Sequence, residues 1–540
     1  MKPIALTLRP SLLLAAALFV PAFSGTLQAA TDKPNIVIFL VDDMGLMDTS
    51  VPFITDAQGL PQRQPLNEFY RTPSMQKMAE QGVRFTQFYA QSVCSPTRAS
   101  IMTGQNATRH RTTNFISPRG NNRGTFGPPD WNYGGLTAKD VTLPRLLQTA
   151  GWRTIHVGKG HFGPPEQPGA DPRTLGFDVN IAGAAAGQPG NYLAKSKYGN
   201  KPGAANFMPG LEKYYGTDTF LTEALTLEAM GQIDGAIKDQ KPFLLYMAHY
   251  AVHSPFTEDP RFSKDYAKSD KPEKAKKFAT MIAGMDKSLG DILDHLRKRG
   301  VAEDTLVIFL GDNGTDAPLS DGVKDEGAGE DKPVGGKKAD GRSSEPGIFD
   351  ILCAAPLRGK KGTHYEGGMR VPFIAAWAQP QAGNALQERL PITAGAVQTQ
   401  VGTVMDILPT VLELAGVANP QNHPIDGASL KPLFTGKRDD KREESFLMHY
   451  PHGHRSQYFT SFRLGSWKVV YHYFPEMNPA KTRYELFDLA TDLSESNNRA
   501  EKEPARLRTM MQAMVKRLDA EGALYPVDKK NQAPIKPIVP

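Results

Sequence analysis

Two residues four positions apart, Cys94 and Arg98, could supply a nucleophile and a clamp for an oxyanion. They lie in the run Ser92-Val-Cys-Ser-Pro-Thr-Arg-Ala-Ser-Ile-Met-Thr-Gly104. A small polar turn leads into Pro96, which suits the first turn of a helix because its missing N–H is not needed there. Thr97–Met102 continues as a short helix closed by Thr103-Gly104. Cys94 is expected just ahead of that helix, where free N–H groups and the helix dipole favour an anion or an anionic nucleophile. Arg98, one turn in, offers a planar fork of donors. Taken alone, the pair also fits a small buried thiol beside a surface arginine.

The elements that must position such groups are apolar runs ending in polar pairs. Asn35-Ile-Val-Ile-Phe-Leu-Val41 reads as a strand buried on both faces of a parallel sheet and ends in Asp42-Asp43. Thr305-Leu-Val-Ile-Phe-Leu310 repeats the pattern and ends in Gly311-Asp312-Asn313-Gly314. Two such ends point to a ligand site at the carboxyl edge of an open α/β sheet. Oxygen-only ligands suit a hard cation, Ca²⁺ or Mg²⁺, rather than zinc. Between them, Val141–Ala150 reads as a helix and Arg153–Val157 as a strand leading to Gly158-Lys159-Gly160-His161-Phe162-Gly163. Pro242–Ala248 is a further buried strand, followed by His249 and His253. His249, at the end of the apolar run, reads as structural. Ala279, Ile282, Met285, Leu289, Ile292, Leu293 and Leu296 recur at helical spacing and read as core.

The chain has 540 residues, which predicts one large domain and a smaller one. Its 63 Lys+Arg against 57 Asp+Glu exclude nucleic acid as the obvious partner. Lys2 and Arg9, the apolar Ser11–Val20 and Leu27-Gln28-Ala29 read as a secretory signal over residues 1–30. Export to a periplasm or beyond is therefore expected, and the apolar run is too short for a membrane span. Only Cys94 and Cys353 occur. In an exported chain they could form a disulfide, unless Cys94 is used chemically.

Cys94-Ser95-Pro96-Thr97-Arg98 is similar to the Cys-x-Pro-x-Arg signature of the type I sulfatases, within the alkaline phosphatase superfamily, and Thr103-Gly104 extends the match. The stretch Leu357–Pro372, with Lys361 five residues before Glu366-Gly367-Gly368, resembles a second sulfatase signature. Gly158–Gly163 is similar to the family's Gly-Lys-Trp-His-x-Gly segment, with Gly160 replacing the usual aromatic. His253, two residues before Pro255, matches a family histidine. The resemblance implies a large mixed, mostly parallel sheet sandwiched by helices (residues 31–440). It also implies a smaller C-terminal α+β domain, an antiparallel sheet with one helix (residues 441–540). It further implies that a formylglycine-generating or maturase enzyme converts Cys94 to formylglycine (3-oxoalanine), whose hydrate is the nucleophile. That rules out a Cys94–Cys353 bridge. One calcium ion would be held by Asp42, Asp43, Cys94, Asp312 and Asn313. Arg98, Lys159 and Lys361 would neutralise the sulfate oxygens, and His253, with Lys361, would protonate the leaving oxygen. Asp312 would take the nucleophile's proton, and His161 the proton whose loss expels sulfate.

The remaining segments bear on the substrate. Thr315–Ala355 is long and rich in Gly, Asp and Lys, and is expected to form a lid. Lys360 reads as a solvated neighbour of Lys361. Ser466–Tyr473 and Tyr484–Leu489 read as strands, and Leu507, Met510, Met511, Met514 and Leu518 as the buried stripe of a final helix. His449, His452, His454 and Arg455 cluster, and read equally as a sugar- or sulfate-contacting edge or as a plain surface loop; a second metal site is conceivable. The expected substrate is a sulfated glycan, of the marine algal kind by preference. An arylsulfatase acting on small esters and a phosphomonoester or phosphodiester hydrolase of the same superfamily are the alternatives.

Overall fold

The computed structural model describes Met1 and residues 33–319, 353–478 and 480–540. The expected export signal and most of the expected lid lie outside the described residues. The strands, in chain order, are β1 (Asn35–Val41), β2 (Val83–Phe85), β3 (Phe88–Tyr89), β4 (Arg153–Gly158), β5 (Val179–Ile181), β6 (Phe243–Ala248), β7 (Thr305–Gly311) and β8 (Arg370–Val371). They continue with β9 (Phe373–Trp377), β10 (Ala396–Gln398), β11 (Gly402–Thr403), β12 (Ser445–Tyr450), β13 (Phe459–Leu464), β14 (Trp467–His472) and β15 (Tyr484–Asp488).

Eight of them form a sheet in the order β10-β2-β9-β7-β1-β6-β4-β5. All neighbours pair in parallel except β9, which runs antiparallel to both β2 and β7. The central strands are apolar from Ile36 to Val41 and from Leu306 to Leu310 because helices cover both faces. Val37, Phe39 and Val41 face the layer that includes helix Glu273–Lys298, whose predicted stripe is buried. Ile36, Ile38 and Leu40 face the layer built from helices Cys94–Thr103, Leu143–Thr149 and Ile407–Ala415. This is the mixed, mostly parallel sandwich expected from the sequence.

Strands β12 to β15 make a four-stranded antiparallel meander. One face packs on helix Pro504–Glu521 through Leu447, Phe462, Val469 and Leu486. The other contributes Phe446, Met448, Phe459, Val470 and Phe487 to a core shared with the large sheet. The sequence reading found β14 and β15 but not β12 or β13. Ser-Phe-Leu-Met-His-Tyr and Phe-Thr-Ser-Phe-Arg-Leu hold one β-branched residue between them, and their strand-favouring residues are otherwise aromatic, a weaker signal than a β-branched run.

Candidate active site

Strands β7, β1, β6 and β4 are consecutive and parallel, so their carboxyl ends share one edge. Register pairs Val41 with Gly311, and pairs Ala248 with both Leu40 and Gly158. The first residues past these strands, Asp42, Asp312 and Lys159, therefore start side by side. Asp42 Oδ2 accepts from Lys159 Nζ at 2.7 Å. Asp312 Oδ1 accepts from the Asp43 backbone N–H at 3.0 Å, and Asn313 Nδ2 donates to Asp43 Oδ1 at 2.8 Å. The loop after β6 is tied down as well: Val252 N–H donates to Asp42 O, and Tyr192 Oη–H to the carbonyls of Tyr250 and His253.

The helix carrying Cys94 begins at that residue rather than just after it, with Val93 at its N-cap and Gly104 closing it in the left-handed region. Pro96 is thus the third helical residue, still within the turn whose N–H groups lack helical partners. Burial pushes the Cys94 thiol up to about 12, outweighing Lys159 and Lys361, which pull it down. The unmodified residue is a neutral thiol, not the anion expected from its place at the helix start.

Arg98 is fully buried and does not face the pocket. Its Nε and Nη2 donate to Asp312 Oδ2 at 3.0 and 2.7 Å, and its Nη1 to Lys159 O at 2.9 Å. Burial alone would raise the Asp312 carboxyl, but Arg98 and Lys159 bring it down to about 2. Each guanidinium nitrogen donates to a protein partner, so Arg98 orients Asp312 and the loop after β4.

A pocket of about 360 Å³ opens over these groups, lined by Cys94, Phe115, Pro118, His161, Gly187, Gln188, His253, Lys361 and His454. Lys361 Nζ donates to Asp43 Oδ2 at 2.9 Å and lies 3.0 Å from His253 Nε2. His253 Nδ1 faces Ser254 O at 2.9 Å, so the proton sits on Nδ1 and the Nε2 lone pair accepts from Lys361. His161 Nε2 donates to Ile116 O at 2.7 Å, which leaves a lone pair on Nδ1, buried without a partner. Burial and the neighbouring Lys159 hold this imidazole neutral, well below the usual histidine range. A Cβ on Gly160 would lie 3.1 Å from Ala184 O and 3.3 Å from Pro172, so the segment around these residues fills the space of the missing aromatic. The pocket-lining Phe115, Pro118 and Gln188 come from stretches without periodicity, and no sequence signal singled them out.

With this geometry in place, comparison decides the family. The sulfatase family profile matches residues 34–417, and the profile described as "N-sulphoglucosamine sulphohydrolase, C-terminal" matches residues 360–521. The chain belongs to the type I sulfatase family, in the alkaline phosphatase superfamily. Among its relatives, the N-acetylgalactosamine-6-sulfatase of Mus musculus is 31% identical over 433 residues, covering 78% of this chain and 71% of the relative. A sulfatase of Formosa agariphila is 26% identical over 551 residues, covering 90% and 88%. Among solved structures, Ps i-CgsB superposes with a TM-score of 0.66 at 23% identity, covering 90% of this chain and 93% of that one, which shows the shared fold. This sulfatase is accordingly a sulfuric ester hydrolase.

Whether the sulfatase's acidic edge fits a calcium ion can be tested on its own atoms. Asp42 Oδ1 and Asn313 Oδ1 are buried oxygens with no hydrogen-bond partner. Ligand atoms of Asp42, Cys94 and Asp312 lie within 4.8 Å of one another. Burial raises Asp42 to about 7 despite Lys159, as expected of a carboxylate still short of positive charge. Orphaned, hard oxygen donors around one point fit calcium.

Three expectations are corrected. His449 and His452 are not a surface loop or a metal site, because both are buried and all four ring nitrogens face protein partners: Thr460, Leu524 O, Thr113 and Arg123 O. Of the cluster, only His454 lines the pocket; Arg455 is buried and forks onto Asp316. Lys360 is likewise buried, 3.5 Å from Asp316, rather than solvated. Cys94 and Cys353 are both free thiols, which removes the disulfide alternative. A second possible metal group, His364, His472 and Glu485, closes without an ion. Glu485 accepts from both imidazoles and from Tyr365 Oη–H, while His364 Nδ1 faces Ser456 Oγ. Among the described residues, no helix is long and apolar enough to cross a membrane.

Proposed function

We propose that this sulfatase removes sulfate from a sulfated polysaccharide or oligosaccharide, of the marine algal type, using Cys94 in its formylglycine form and one calcium ion. The observation that carries the reading is the convergence of Cys94, His161, His253 and Lys361 on one pocket, with Asp42 and Asp312 within 4.8 Å of Cys94 and Asp43 hydrogen-bonded to Lys361. Burial pushes the Cys94 thiol well above the ordinary cysteine range, so an unmodified Cys94 is a poor nucleophile there. The glycan assignment draws on relatives: Ps i-CgsB was solved with k-i-k-neocarrahexaose, and the mouse relative is named for N-acetylgalactosamine 6-sulfate.

Asp42, Asp43, Asp312, Asn313 and residue 94 would hold the calcium. The ion supplies positive charge to the sulfate oxygens, and the aldehyde hydrate supplies the attacking oxygen. Lys361 adds a cation at the pocket floor, where charge redistributes as the ester bond breaks. His253 and Lys361 form a hydrogen-bonded pair that hands a proton to the departing sugar oxygen through His253 Nε2. His161 Nδ1, kept as a bare lone pair by the Ile116 bond, accepts the proton whose loss frees sulfate. Arg98 acts from behind, holding Asp312 ionised, and Lys159 hydrogen-bonds Asp42 and partly offsets the burial that raises it. Residues 1–30 are read as an export signal, and residues 441–540 as the smaller domain.

Two measurements test this on protein matured beside a formylglycine-generating enzyme. The peptide containing Cys94 is expected to weigh about 18 Da less than its cysteine form. Sulfate release is expected from carrageenan, ulvan or fucoidan oligosaccharides in preference to 4-nitrophenyl sulfate or phosphate monoesters. Active protein with unmodified cysteine would overturn the formylglycine mechanism, and preference for the aryl ester would overturn the glycan assignment.

A further inference from the structure

Lys361 reaches the pocket from a loop that makes no sheet pairing of its own, yet its ammonium must sit between Asp43 and His253. Its backbone is held from two sides. Lys361 N–H donates to Thr315 O at 2.9 Å, two residues beyond Asn313. On the other side lies the segment between β12 and β13. Arg455 Nη1 and Nη2 fork onto Asp316 at 2.6 and 2.9 Å, and Nη1 also points at Lys361 O at 3.4 Å. Ser456 N–H donates to Gly362 O at 3.0 Å, and Ser456 Oγ meets His364 Nδ1 at 2.5 Å. The approach is close because residue 362 is glycine. With φ +78, a Cβ there would be strained and would lie 3.2 Å from both Cβ and Cδ of Arg455.

Both members of the Arg455–Asp316 pair are nearly fully buried. Burial alone would raise Asp316, but Arg455 and then Lys360 bring it down to about 2. A planar fork fixes two partners in angle as well as distance, which a lysine cannot do. The pair therefore locks together the loop after β7, the loop of Lys361 and the C-terminal sheet.

We propose that Arg455 is a positioning residue for the sulfatase reaction: through Asp316 and the Lys361 carbonyl it sets where Lys361 presents its ammonium. The C-terminal sheet is thereby part of the catalytic apparatus for every substrate, including esters too small to touch it. This inference rests on the role assigned above to Lys361.

The test compares Arg455→Ala, Arg455→Lys, Asp316→Asn and Lys361→Ala in the matured, calcium-loaded enzyme, with 4-nitrophenyl sulfate and an oligosaccharide that the native enzyme desulfates. A displacement of about 1 Å at a catalytic group costs on the order of 10²-fold in rate. Arg455→Ala is expected to lose about that factor in kcat on both substrates, with KM little changed and with partial rescue by added guanidinium. Arg455→Lys and Asp316→Asn, which keep most of the packing, are expected to show the same pattern in smaller degree. Crystal structures of the variants should show Lys361 Nζ drawn away from Asp43. A raised KM confined to the oligosaccharide would make Arg455 a substrate contact and overturn the proposal. So would an unchanged kcat in the Arg455 variants while Lys361→Ala is inactive, or a Lys361 ammonium left in place. If Lys361→Ala keeps full kcat, the role of Lys361 itself fails, and this inference with it.

Discussion

Replacing Arg98 with methionine separates two roles that its sequence position leaves entangled. If Arg98 grips a substrate oxygen, its loss raises KM and leaves stability alone. The structure places it instead in a fully buried pair with Asp312, joined by two hydrogen bonds at 2.7 and 3.0 Å, with a third to Lys159 O. Methionine fills much of the volume but leaves Asp312 buried beside Asp42 with one cation fewer. Removing one member of a buried, hydrogen-bonded ion pair costs about 3–5 kcal/mol. The expected result is an unfolding free energy in urea lowered by that amount in the calcium-free protein, seen as a lower midpoint, a smaller loss when calcium is bound, and a kcat that falls more than KM changes. Arg98→Lys keeps the charge without the fork and is expected to fall between. The double variant Arg98→Met with Asp312→Leu removes both charges and should be more stable than Arg98→Met alone, since neither ion is then stranded. An unchanged urea midpoint with a raised KM for sulfate esters would refute the placement of Arg98 behind the site.

The raised carboxyl of Asp42, at about 7 against an ordinary 3.8, weakens the calcium-free protein progressively from about pH 4 to 7, because ionising it opposes folding. Calcium favours the ionised form, so the rise in unfolding temperature on adding calcium over EGTA should grow across that interval and level off above it; a pH-independent increment would contradict this. Lys468 is buried between Glu366 (3.1 Å) and Glu495 (2.7 Å), and Lys468→Met should cost about 3–5 kcal/mol. Burial raises Glu495 to about 7 even with Lys468 present. The variant's deficit should therefore be smaller at pH 5 than at pH 8, as protonation relieves the stranded charge; an equal deficit at both would show that Glu495 does not titrate there.

The large sheet was legible because its central strands carry unbroken apolar runs, Ile36–Val41 and Leu306–Leu310, a pattern that double-sided burial requires. Asp42, Asp43, Asp312 and Asn313 were legible as a group because two buried strands both end in such pairs and the cysteine motif accompanies them; one pair alone is an ordinary turn. What the sequence could not convey was orientation. Arg98 is four residues from Cys94 and, like it, lies beside Asp312, yet its donors end on Asp312 and Lys159 O rather than among the pocket-lining groups. Arg455 lies 94 positions from Lys361 and joins it only through pairing of β12 with β13. Neither strand has the β-branched composition that would have revealed it. Lys360 and Lys361 are chemically alike in sequence, but alternate backbone directions send one to Asp316 and the other to Asp43.

The shared core bears on how such chains can diverge. One face of the C-terminal meander, through Phe446, Met448, Phe459 and Val470, is continuous with the packing under helix Ile407–Ala415. Cutting near residue 440 would expose apolar surface on both products, so the two parts are not interchangeable modules. A chimera that borrows its C-terminal fifth from a relative to acquire a new sugar preference would have to import the residues beneath it too. Specificity in this chain is therefore free to drift by point changes around the pocket rim, and slow to change by exchange of whole segments.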